Sequence, residues 1–509
     1  MKKSSENVNT SKSIDIVILG GGTAGWMAAN IFVKKWSNKQ VKITLVESPD
    51  VGIIGVGEGS TPTLKRFFKL IDVNESEWMP RCNATYKNNI KFKGWSPKSG
   101  VDSYSHPFTT QIDTFTATPF ITNCRTRRLG LDTTTSPEKF LLNGVLAEQG
   151  KAPIAPDKFP FVIEYGYHFD SHLLGQYLSE IGCQRGITLK QQHIIDVEQK
   201  SNGDIASIVT KDGEKISADF FIDCTGFSSV LMQKTLKVPF KSYKENLFND
   251  SAVIMPTPIS ESIPVETVST ALSTGWCWKI PLTNRFGNGY VYSSDFISSE
   301  AAEKEFRQHL GTLDNAQECQ HLKMNVGQLE SHWSHNCIGL GLSQGFIEPL
   351  EATALHLVQV CIESFASTFE SGGFSSKYRK DYNLKIQERF EKVRDYIVAH
   401  YKLNTRDDSD YWRENRENSN LSDSLIHILD VWYKRGDLIE EIERQKLNTH
   451  FDAVSWNCLL SGYGAFPNLE KDQPGKGDLY LEKDIGSFLQ KCSLNFEDHE
   501  ACLSKLSIL

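Results

Sequence analysis

The feature that most constrains this chain is a glycine-rich turn between an apolar run and a helix-favouring segment. Residues 14–19 are mostly apolar with β-branched side chains, and residues 20–25 read Gly-Gly-Gly-Thr-Ala-Gly. Gly20 permits a tight turn, Gly22 lets the backbone approach a pyrophosphate, and Gly25 lets the helix pack closely on the strand. The order of strand, glycine turn and helix predicts a Rossmann βαβ unit, whose helix N-terminus can hold phosphates.

A carboxylate follows at the position where a Rossmann unit contacts a ribose. The second apolar run, Val41–Val46, ends at Glu47, and an acid there can accept hydrogen bonds from the ribose of adenosine. A later apolar strand, Phe220–Asp223, ends in another acid and a Thr-Gly turn. This element resembles the second nucleotide-contacting strand of the glutathione-reductase-like FAD fold, so the sequence favours FAD over NAD.

Composition and charge argue against several other classes of protein. The 509 residues are 39% hydrophobic and 23% charged, as in ordinary globular proteins. The net charge is −8 and basic residues are dispersed, so we expect neither nucleic acid nor an anionic membrane as partner. No apolar run approaches the ~20 residues that span a bilayer, and residues 1–13 are polar without a signal-peptide core. The eleven cysteines include no CxxC pair, so we predict no metal site and a cytoplasmic location.

A glycine-rich stretch after Glu47 is predicted to be a strap that lies against a ligand. Residues 52–62 contain four glycines, too many for an ordinary helix or strand. Apolar residues alternate with these glycines, which indicates partial burial, and a flexible surface loop is the alternative. Pro62 suits the first turn of a helix that runs to about Leu70.

Three lysines lie close together in residues 85–95. A period-two pattern places Lys87, Lys91 and Lys93 on one face and apolar residues on the other. This pattern predicts a solvated lysine face and does not by itself nominate a catalytic lysine.

Aromatic residues are concentrated in two stretches. His106 and Phe108 form either a stacking platform or ordinary packing, within residues 96–161 that otherwise look like loops with short elements. Trp276 and Trp278 share one face of a predicted strand.

The second half of the chain predicts further strands and then helices. Residues 287–289, Gly-Asn-Gly, are predicted to turn into another strand. In residues 343–356 a strand, a glycine turn and a helix start recur, and such a helix N-terminus would favour an anion or the edge of a flavin ring. Helical spacing then dominates to about Arg444, and residues 378–401 are predicted to form one long amphipathic helix.

Four motifs together resemble the flavin-dependent tryptophan halogenase family. They are Gly-Gly-Gly-Thr-Ala-Gly-Trp at 20–26, Gly-Val-Gly-Glu at 55–58, Trp-Cys-Trp-Lys-Ile-Pro at 276–281, and Gly-Phe-Ile-Glu-Pro-Leu-Glu at 345–351. The third matches the family's WxWxIP, and the resemblance spans Gly20 to about Leu355. It implies an α/β fold class: a glutathione-reductase-like FAD-binding fold, as in flavin monooxygenases, with a Rossmann βαβ unit and a mainly helical C-terminal part that covers the substrate.

The resemblance also implies a division of the chain. After the polar tail 1–13, we expect an FAD-binding halogenase module at 14–360, with substrate-binding segments interleaved at about 60–165. The helical substrate-covering region would then be 361–509.

The family's chemistry implies roles for individual residues. Reduced FAD, oxygen and a chloride or bromide ion give hypohalous acid, which is relayed to a lysine and halogenates an electron-rich aromatic ring such as indole or tryptophan. Asn-Ala-Thr-Tyr-Lys at 83–87 matches the segment that bears the essential lysine, which favours Lys87. Glu351 matches the active-site glutamate, which can polarise the oxidant and take the ring proton. The residues implied are Lys87 and Glu351 for catalysis; Gly20, Gly21, Gly22, Thr23, Ala24, Gly25, Glu47, Val56, Gly57, Glu58, Gly59, Ile194, Leu342 and Leu355 for FAD; Thr353 and Ala354 for halide; His106 and Phe108 for substrate; Trp276 and Trp278 as tunnel barrier.

The sequence departs from the family at two points. Ala354 replaces a glycine familiar in tryptophan halogenases, which bears on halide preference. The cluster that clamps the amino-acid part of tryptophan is not recognisable in residues 448–463, where the chain has Phe451, Trp456 and Tyr463. The substrates left open are tryptophan, indole, a substituted indole, another phenolic or pyrrolic ring, and a carrier-tethered ring.

Partners and alternative functions follow from the same resemblance. The chain has no convincing second nucleotide site, so we expect a separate NAD(P)H-dependent flavin reductase to supply reduced FAD. A homodimer is common in relatives, and nothing in the sequence decides it. The alternatives are a flavin-dependent aromatic hydroxylase, which should not need Lys87, and a non-catalytic flavin-binding protein. The halide used and the ring position halogenated are also left open.

Overall fold

The computed structural model describes residues 13–50, 57–259, 262–314, 316–474 and 477–506. Val56 and the preceding strap residues 52–55 lie outside the described residues. The strands are β1 Ile14–Leu19, β2 Val41–Glu47, β3 Glu58–Gly59, β4 Thr85–Lys87, β5 Asn89–Ser96, β6 Val101–Pro107, β7 Gly166–Phe169, β8 Thr188–Gln191, β9 Ile194–Gln199, β10 Ile205–Thr210, β11 Lys215–Ser217, β12 Phe220–Asp223, β13 Phe240–Ser242, β14 Ser251–Pro258, β15 Glu266–Leu272, β16 Gly275–Pro281, β17 Arg285–Tyr292, β18 Gln320–Lys323, β19 Gly327–Leu329, β20 Trp333–Ser334, β21 Cys337–Gly339 and β22 Gly345–Phe346. The α-helices are α1 Thr23–Lys35, α2 Thr63–Leu70, α3 Glu75–Trp78, α4 Ala117–Arg128, α5 Leu142–Glu148, α6 Ser171–Gln184, α7 Ser299–Leu310, α8 Thr353–Ser371, α9 Arg379–Lys402, α10 Asp410–Glu417, α11 Asp423–Tyr433, α12 Leu438–Arg444, α13 Ala453–Gly462, α14 Ile485–Ser493 and α15 His499–Leu506.

The first sheet confirms the predicted Rossmann unit. Its strand order is β20-β21-β12-β1-β2-β8, and β1 pairs in parallel with both β2 and β12. Gly20 has a φ of +115°, and a Cβ atom there would lie 2.2 Å from the carbonyl oxygen of Cys224. A Cβ at Gly25 would lie 2.0 Å from the carbonyl oxygen of Gly20. The tight turn and the close helix packing therefore both require glycine.

The second sheet carries the tryptophan strand. Its seven strands run in the order β18-β14-β17-β16-β15-β5-β6. The predicted turn at residues 287–289 is wrong, because β17 runs straight through Gly-Asn-Gly. Gly289 lies opposite Trp278 on β16, and a Cβ there would fall 2.1 Å from the indole ring. The glycine is present because the tryptophan ring lies across the strand.

A small sheet joins the glycine-rich strap to the lysine segment. Strand β7 pairs antiparallel with both β3 and β4. Gly59 at the end of the strap and Thr85 on the lysine segment both lie opposite His168. Strand β7 therefore lies between the strap residues and the strand that carries Lys87, and it holds the two close together.

Helices make up the C-terminal part, as the sequence predicts. In the described part of the chain, every regular element after β22 is helical, and α9 confirms the long helix predicted at 378–401. Residues 96–161 hold more structure than expected, because they include the strand β6 and the twelve-residue helix α4. That helix buries the polar side chains of Asn123 and Thr126 beside Phe120 and Cys124, so its sequence lacks an apolar stripe. The domain division 14–360 and 361–509 stays a prediction.

The α/β fold class predicted from the sequence is confirmed: the six-stranded sheet is parallel except for β20 and is combined with helices. Among the residues described, we find no helix with the length and apolarity needed to cross a bilayer.

Candidate active site

A cavity of about 1420 Å³ extends from the glycine turn to the tryptophan strand. Of the predicted flavin-contacting residues, those that line it are Gly20, Gly21, Gly22, Thr23, Ala24, Glu47, Gly57, Glu58, Gly59, Ile194, Leu342 and Leu355. Gly25 does not line it and instead packs on Gly20. The cavity also includes Lys87, Ala354, Trp276 and Trp278 in its wall. The structure thus brings most of the predicted residues to the wall of one cavity.

The glycine turn has the shape that a dinucleotide diphosphate needs. Helix α1 begins at Thr23 without a side-chain cap and without an acidic residue in its first turn, so its first N–H groups are free for an anion. A Cβ added to Gly21 would lie 1.7 Å from Oε2 of Glu47, whereas one added to Gly22 would meet nothing within 4 Å. Glu47 therefore lies directly against the turn, while Gly22 leaves an open backbone surface. These residues fit FAD.

A buried acid that the sequence presented only as the end of a strand shapes the second nucleotide-facing turn. Asp223 is fully buried at the end of β12, and its carboxylate accepts hydrogen bonds from Thr225, Leu231 and Met232. Thr225 in turn lines the cavity. Burial raises the pKa of Asp223, and these hydrogen bonds oppose that shift.

Lys87 is a buried lysine whose ammonium group has no hydrogen-bond partner in the described structure. Its Nζ lies 5.4 Å from the ring centroid of Phe108, and a Cβ at Gly59 would lie 3.1 Å from it. Burial lowers the pKa of Lys87 to about 7, against the opposing charge of Glu351. The prediction of one solvated face for three lysines is wrong for Lys87. Strands β4 and β5 are separate and pair with different neighbours, and only Lys91 and Lys93 reach solvent.

Glu351 is held between two histidines. His106 donates from Nδ1 to both carboxylate oxygens at 3.0 Å, and His400 donates from Nε2 to Oε1 at 3.0 Å. Burial raises the pKa of Glu351, but the charges and hydrogen bonds of the two histidines outweigh it and lower the pKa to about 2. No pattern in the sequence pointed to His400, which comes from α9, 49 residues beyond Glu351. Neither Glu351 nor His106 nor Phe108 lines the main cavity.

The predicted halide segment lies at the start of α8. Ala352 precedes this helix with a φ of +55°, and no side chain caps the helix. The first N–H groups of α8 are therefore available to an anion. Ala354 lines the cavity, whereas Thr353 is buried behind it.

Aromatic side chains surround the histidines that hold Glu351. Phe451 stacks on Tyr396 with ring centroids 3.6 Å apart, and Trp456 meets the same tyrosine edge-on at 4.8 Å. Tyr396 also lies 6.1 Å from the His106 ring. Tyr463 contacts Nδ1 of His400 through its hydroxyl at 3.1 Å. Three residues noted in the sequence thus join one cluster, whose centre, Tyr396, the sequence did not single out.

In the described residues, we find no group of three or more His, Cys, Asp or Glu side chains that could hold a metal ion.

Comparison with known proteins identifies the family. The tryptophan halogenase family model matches residues 15–474. The chain is 36% identical over 449 residues to a tryptophan 6-halogenase from Streptomyces toxytricini, covering 84% of this chain and 85% of the relative. A tryptophan halogenase structure from Shewanella frigidimarina matches with a TM-score of 0.85 and 31% identity, covering 97% of this chain and 98% of the other. A flavin-dependent halogenase structure from Xanthomonas campestris matches with a TM-score of 0.82 and 30% identity, covering 97% and 99%. The chain therefore belongs to the tryptophan halogenase family and is a flavin-dependent halogenase.

Proposed function

We propose that this halogenase uses reduced FAD, oxygen and chloride or bromide to halogenate an electron-rich ring of the indole type. The observation that carries the proposal is Lys87, a buried amine without a hydrogen-bond partner among the described residues, in the wall of the cavity that the glycine turn lines. Because this amine makes no hydrogen bond that would stabilise the fold, it is available to react with an oxidant.

The glycine turn and its neighbours would hold the cofactor. The N–H groups at the start of α1 would bind the pyrophosphate, Glu47 would bind the ribose, and the strap residues Gly57–Gly59 would lie against the flavin. When bound, reduced FAD supplies the chemistry that lets oxygen convert halide to hypohalous acid. A separate NAD(P)H-dependent flavin reductase would supply the reduced cofactor.

The start of α8 would hold the halide. Backbone N–H groups near Thr353 and Ala354 can bind an anion without a cationic side chain nearby. Ala354 lies in the cavity wall, so a bound halide would face the same space as the flavin. The choice between chloride and bromide would depend on the volume left beside the methyl group of Ala354.

Lys87 would receive the oxidised halogen. A pKa of about 7 leaves a large fraction of Lys87 neutral at physiological pH. The protonated ammonium can donate a hydrogen bond to hypohalous acid, and the neutral amine can form a haloamine. In either form Nζ would orient the halogen toward the ring, and the oxygen of hypohalous acid would leave as water.

Glu351 would accept the ring proton that halogen replaces. Its pKa of about 2 keeps the carboxylate ionised at neutral pH. His106 and His400 fix its orientation through three contacts of 3.0 Å. His106 would then contribute to the site as a partner of Glu351 as well as through its ring, beside Phe108.

The aromatic surroundings of His106 support this substrate class. Phe451, Trp456 and Tyr396 are buried against one another behind His106, whereas His106 and Phe108 are partly exposed, so an indole ring would contact the latter two. Several relatives are named tryptophan halogenases, which supports tryptophan or a compound that shares its indole.

Mass spectrometry tests this proposal. The protein would be incubated with FAD, a flavin reductase, NADH, oxygen and chloride or bromide, together with tryptophan, indole or substituted indoles. We expect a product with the isotope pattern of the added halogen. A product heavier by one oxygen would instead indicate a hydroxylase, and no product from any ring would contradict the proposed substrate class.

A further inference from the structure

A second buried glutamate lies in the loop that carries Glu351. Glu348 follows β22 and is completely buried. Its Oε2 accepts hydrogen bonds from Trp276 Nε1 at 2.8 Å, Asn249 Nδ2 at 2.9 Å and Tyr401 Oη at 2.5 Å. The chemistry proposed for Lys87 and Glu351 does not use this carboxylate.

The three donors come from separate parts of the fold. Trp276 belongs to β16 and forms part of the cavity wall, Tyr401 belongs to α9, and Asn249 precedes β14. Asn249 is itself held, since its Oδ1 accepts a hydrogen bond from the Tyr411 hydroxyl at 2.9 Å. One carboxylate thus ties the tryptophan strand to the helical C-terminal part.

The same turn of α9 holds both glutamates of the loop. His400 donates to Glu351, and its neighbour Tyr401 donates to Glu348. Successive side chains of a helix point about 100° apart, so the loop wraps around this edge of α9. A shift of the helix end would therefore move both carboxylates together.

The burial of Glu348 makes its hydrogen bonds important for stability. Burial raises the pKa of Glu348, although the hydrogen bonds from Trp276, Tyr401 and Asn249 oppose that shift. All three donors meet Oε2, and Oε1 has no hydrogen-bond partner among the described residues. A buried carboxylate that loses one donor is poorly satisfied, so the loop is stable in this position only while its donors stay in place.

We propose that Glu348 is a positioning residue for halogenation. It accepts hydrogen bonds from Trp276 in the cavity wall and from Tyr401 on α9, and so fixes the position of the Glu351 loop relative to that wall. The inference rests on the proposed function, because it assigns Glu348 the task of keeping hypohalous acid on its route to Lys87. Without this contact, the Trp276 ring would move and the acid would escape to solvent before it meets Lys87.

The first measurement reports the contact without requiring activity. In full-length protein with ¹⁵N-labelled tryptophan, the indole N–H resonance of Trp276 is assigned from Trp276→Phe. A charged acceptor makes a stronger hydrogen bond than a neutral one, so Glu348→Gln should move this resonance upfield. Tyr382→Phe is the control, because Tyr382 is a buried tyrosine of α9 whose hydroxyl contacts the Cys361 carbonyl instead. An unmoved resonance in Glu348→Gln would refute the contact.

The second measurement divides the oxidised halide between product and solution. Halogenated product is measured together with hypohalous acid captured by a 1,3-diketone in solution. We expect Glu348→Gln and the milder Tyr401→Phe to raise the captured fraction roughly 2- to 10-fold, with oxygen consumption unchanged and with Tyr382→Phe like wild type.

The outcomes separate the inference from the proposed function. An unchanged captured fraction in both variants would overturn the positioning role, even if the indole resonance moves. A wild-type protein that forms hypohalous acid but halogenates no ring would refute the proposed substrate class and this role with it, while the indole resonance would still decide the contact.

Discussion

Replacing Lys87 by methionine should stabilise the protein while it abolishes halogenation. The pKa of Lys87 falls from 10.5 to about 7 on burial, so between these pH values the unfolded chain binds more protons than the folded one. The contribution of Lys87 to the free energy of unfolding therefore rises with pH across this window, and it is lowest below pH 7. From the two pKa values, the cost of Lys87 in the folded state is about 4 kcal/mol at pH 7 and about 1 kcal/mol at pH 10. Lys87→Met removes that cost.

Urea unfolding at pH 7 and pH 10 measures this difference. The free energy of unfolding of Lys87→Met should exceed that of wild type by up to about 4 kcal/mol at pH 7 and by much less at pH 10. Lys91→Met is the matched control, because Lys91 is partly exposed and lies 3.8 Å from Glu266; it should change stability by less than about 1 kcal/mol at either pH. A Lys87→Met protein that is less stable than wild type at pH 7 would refute the reasoning.

The charges of the site and one glycine contact give three further predictions. Glu351→Gln should slow halogenation about 10²-fold, measured as product formed per unit time, and an unchanged rate would remove Glu351 from the mechanism. The pKa of Lys87 is about 7, so the halogenation rate should rise through pH 7 if the neutral amine reacts, and a flat rate profile from pH 6 to 8 would contradict this. The pKa of Glu351 is about 2, so Glu351 should cause no change of slope near pH 4.5. Gly289→Ala places a methyl group 2.1 Å from the Trp278 ring and should lower the free energy of unfolding by about 1–3 kcal/mol in urea. Gly486→Ala, where a Cβ meets nothing within 4 Å, is its control.

Local patterns predicted the elements that depend on neighbouring residues. The turn at Gly20 and the acid at Glu47 are visible because each function needs one residue type at one position. The long helix α9 is visible because its spacing repeats over many turns. These features need no knowledge of how distant strands pair.

Features that depend on distant partners were not predictable. The burial of Lys87 depends on a break at Asn88, where β4 pairs with β7 and β5 pairs with β15. The glycine run at 287–289 looks like a turn because glycine is common in turns, yet its cause is a tryptophan on the adjacent strand. His400 reaches Glu351 only through the packing of α9, and no spacing in the sequence records that contact.

The two histidines also explain why Lys87 keeps a free amine beside a glutamate. A direct ion pair between Lys87 and Glu351 would favour the ammonium and raise the pKa of Lys87. Instead, His106 and His400 occupy the carboxylate at 3.0 Å, and no hydrogen bond joins Glu351 to Lys87 in the described residues. On the proposed mechanism, this arrangement keeps Glu351 as a base and Lys87 as an amine without an ion pair between them. Replacing His400 by a residue that cannot donate would leave the carboxylate with His106 alone. Glu351 should then favour the ammonium form of Lys87 more strongly, raise the pKa of the amine and shift the rate profile to higher pH.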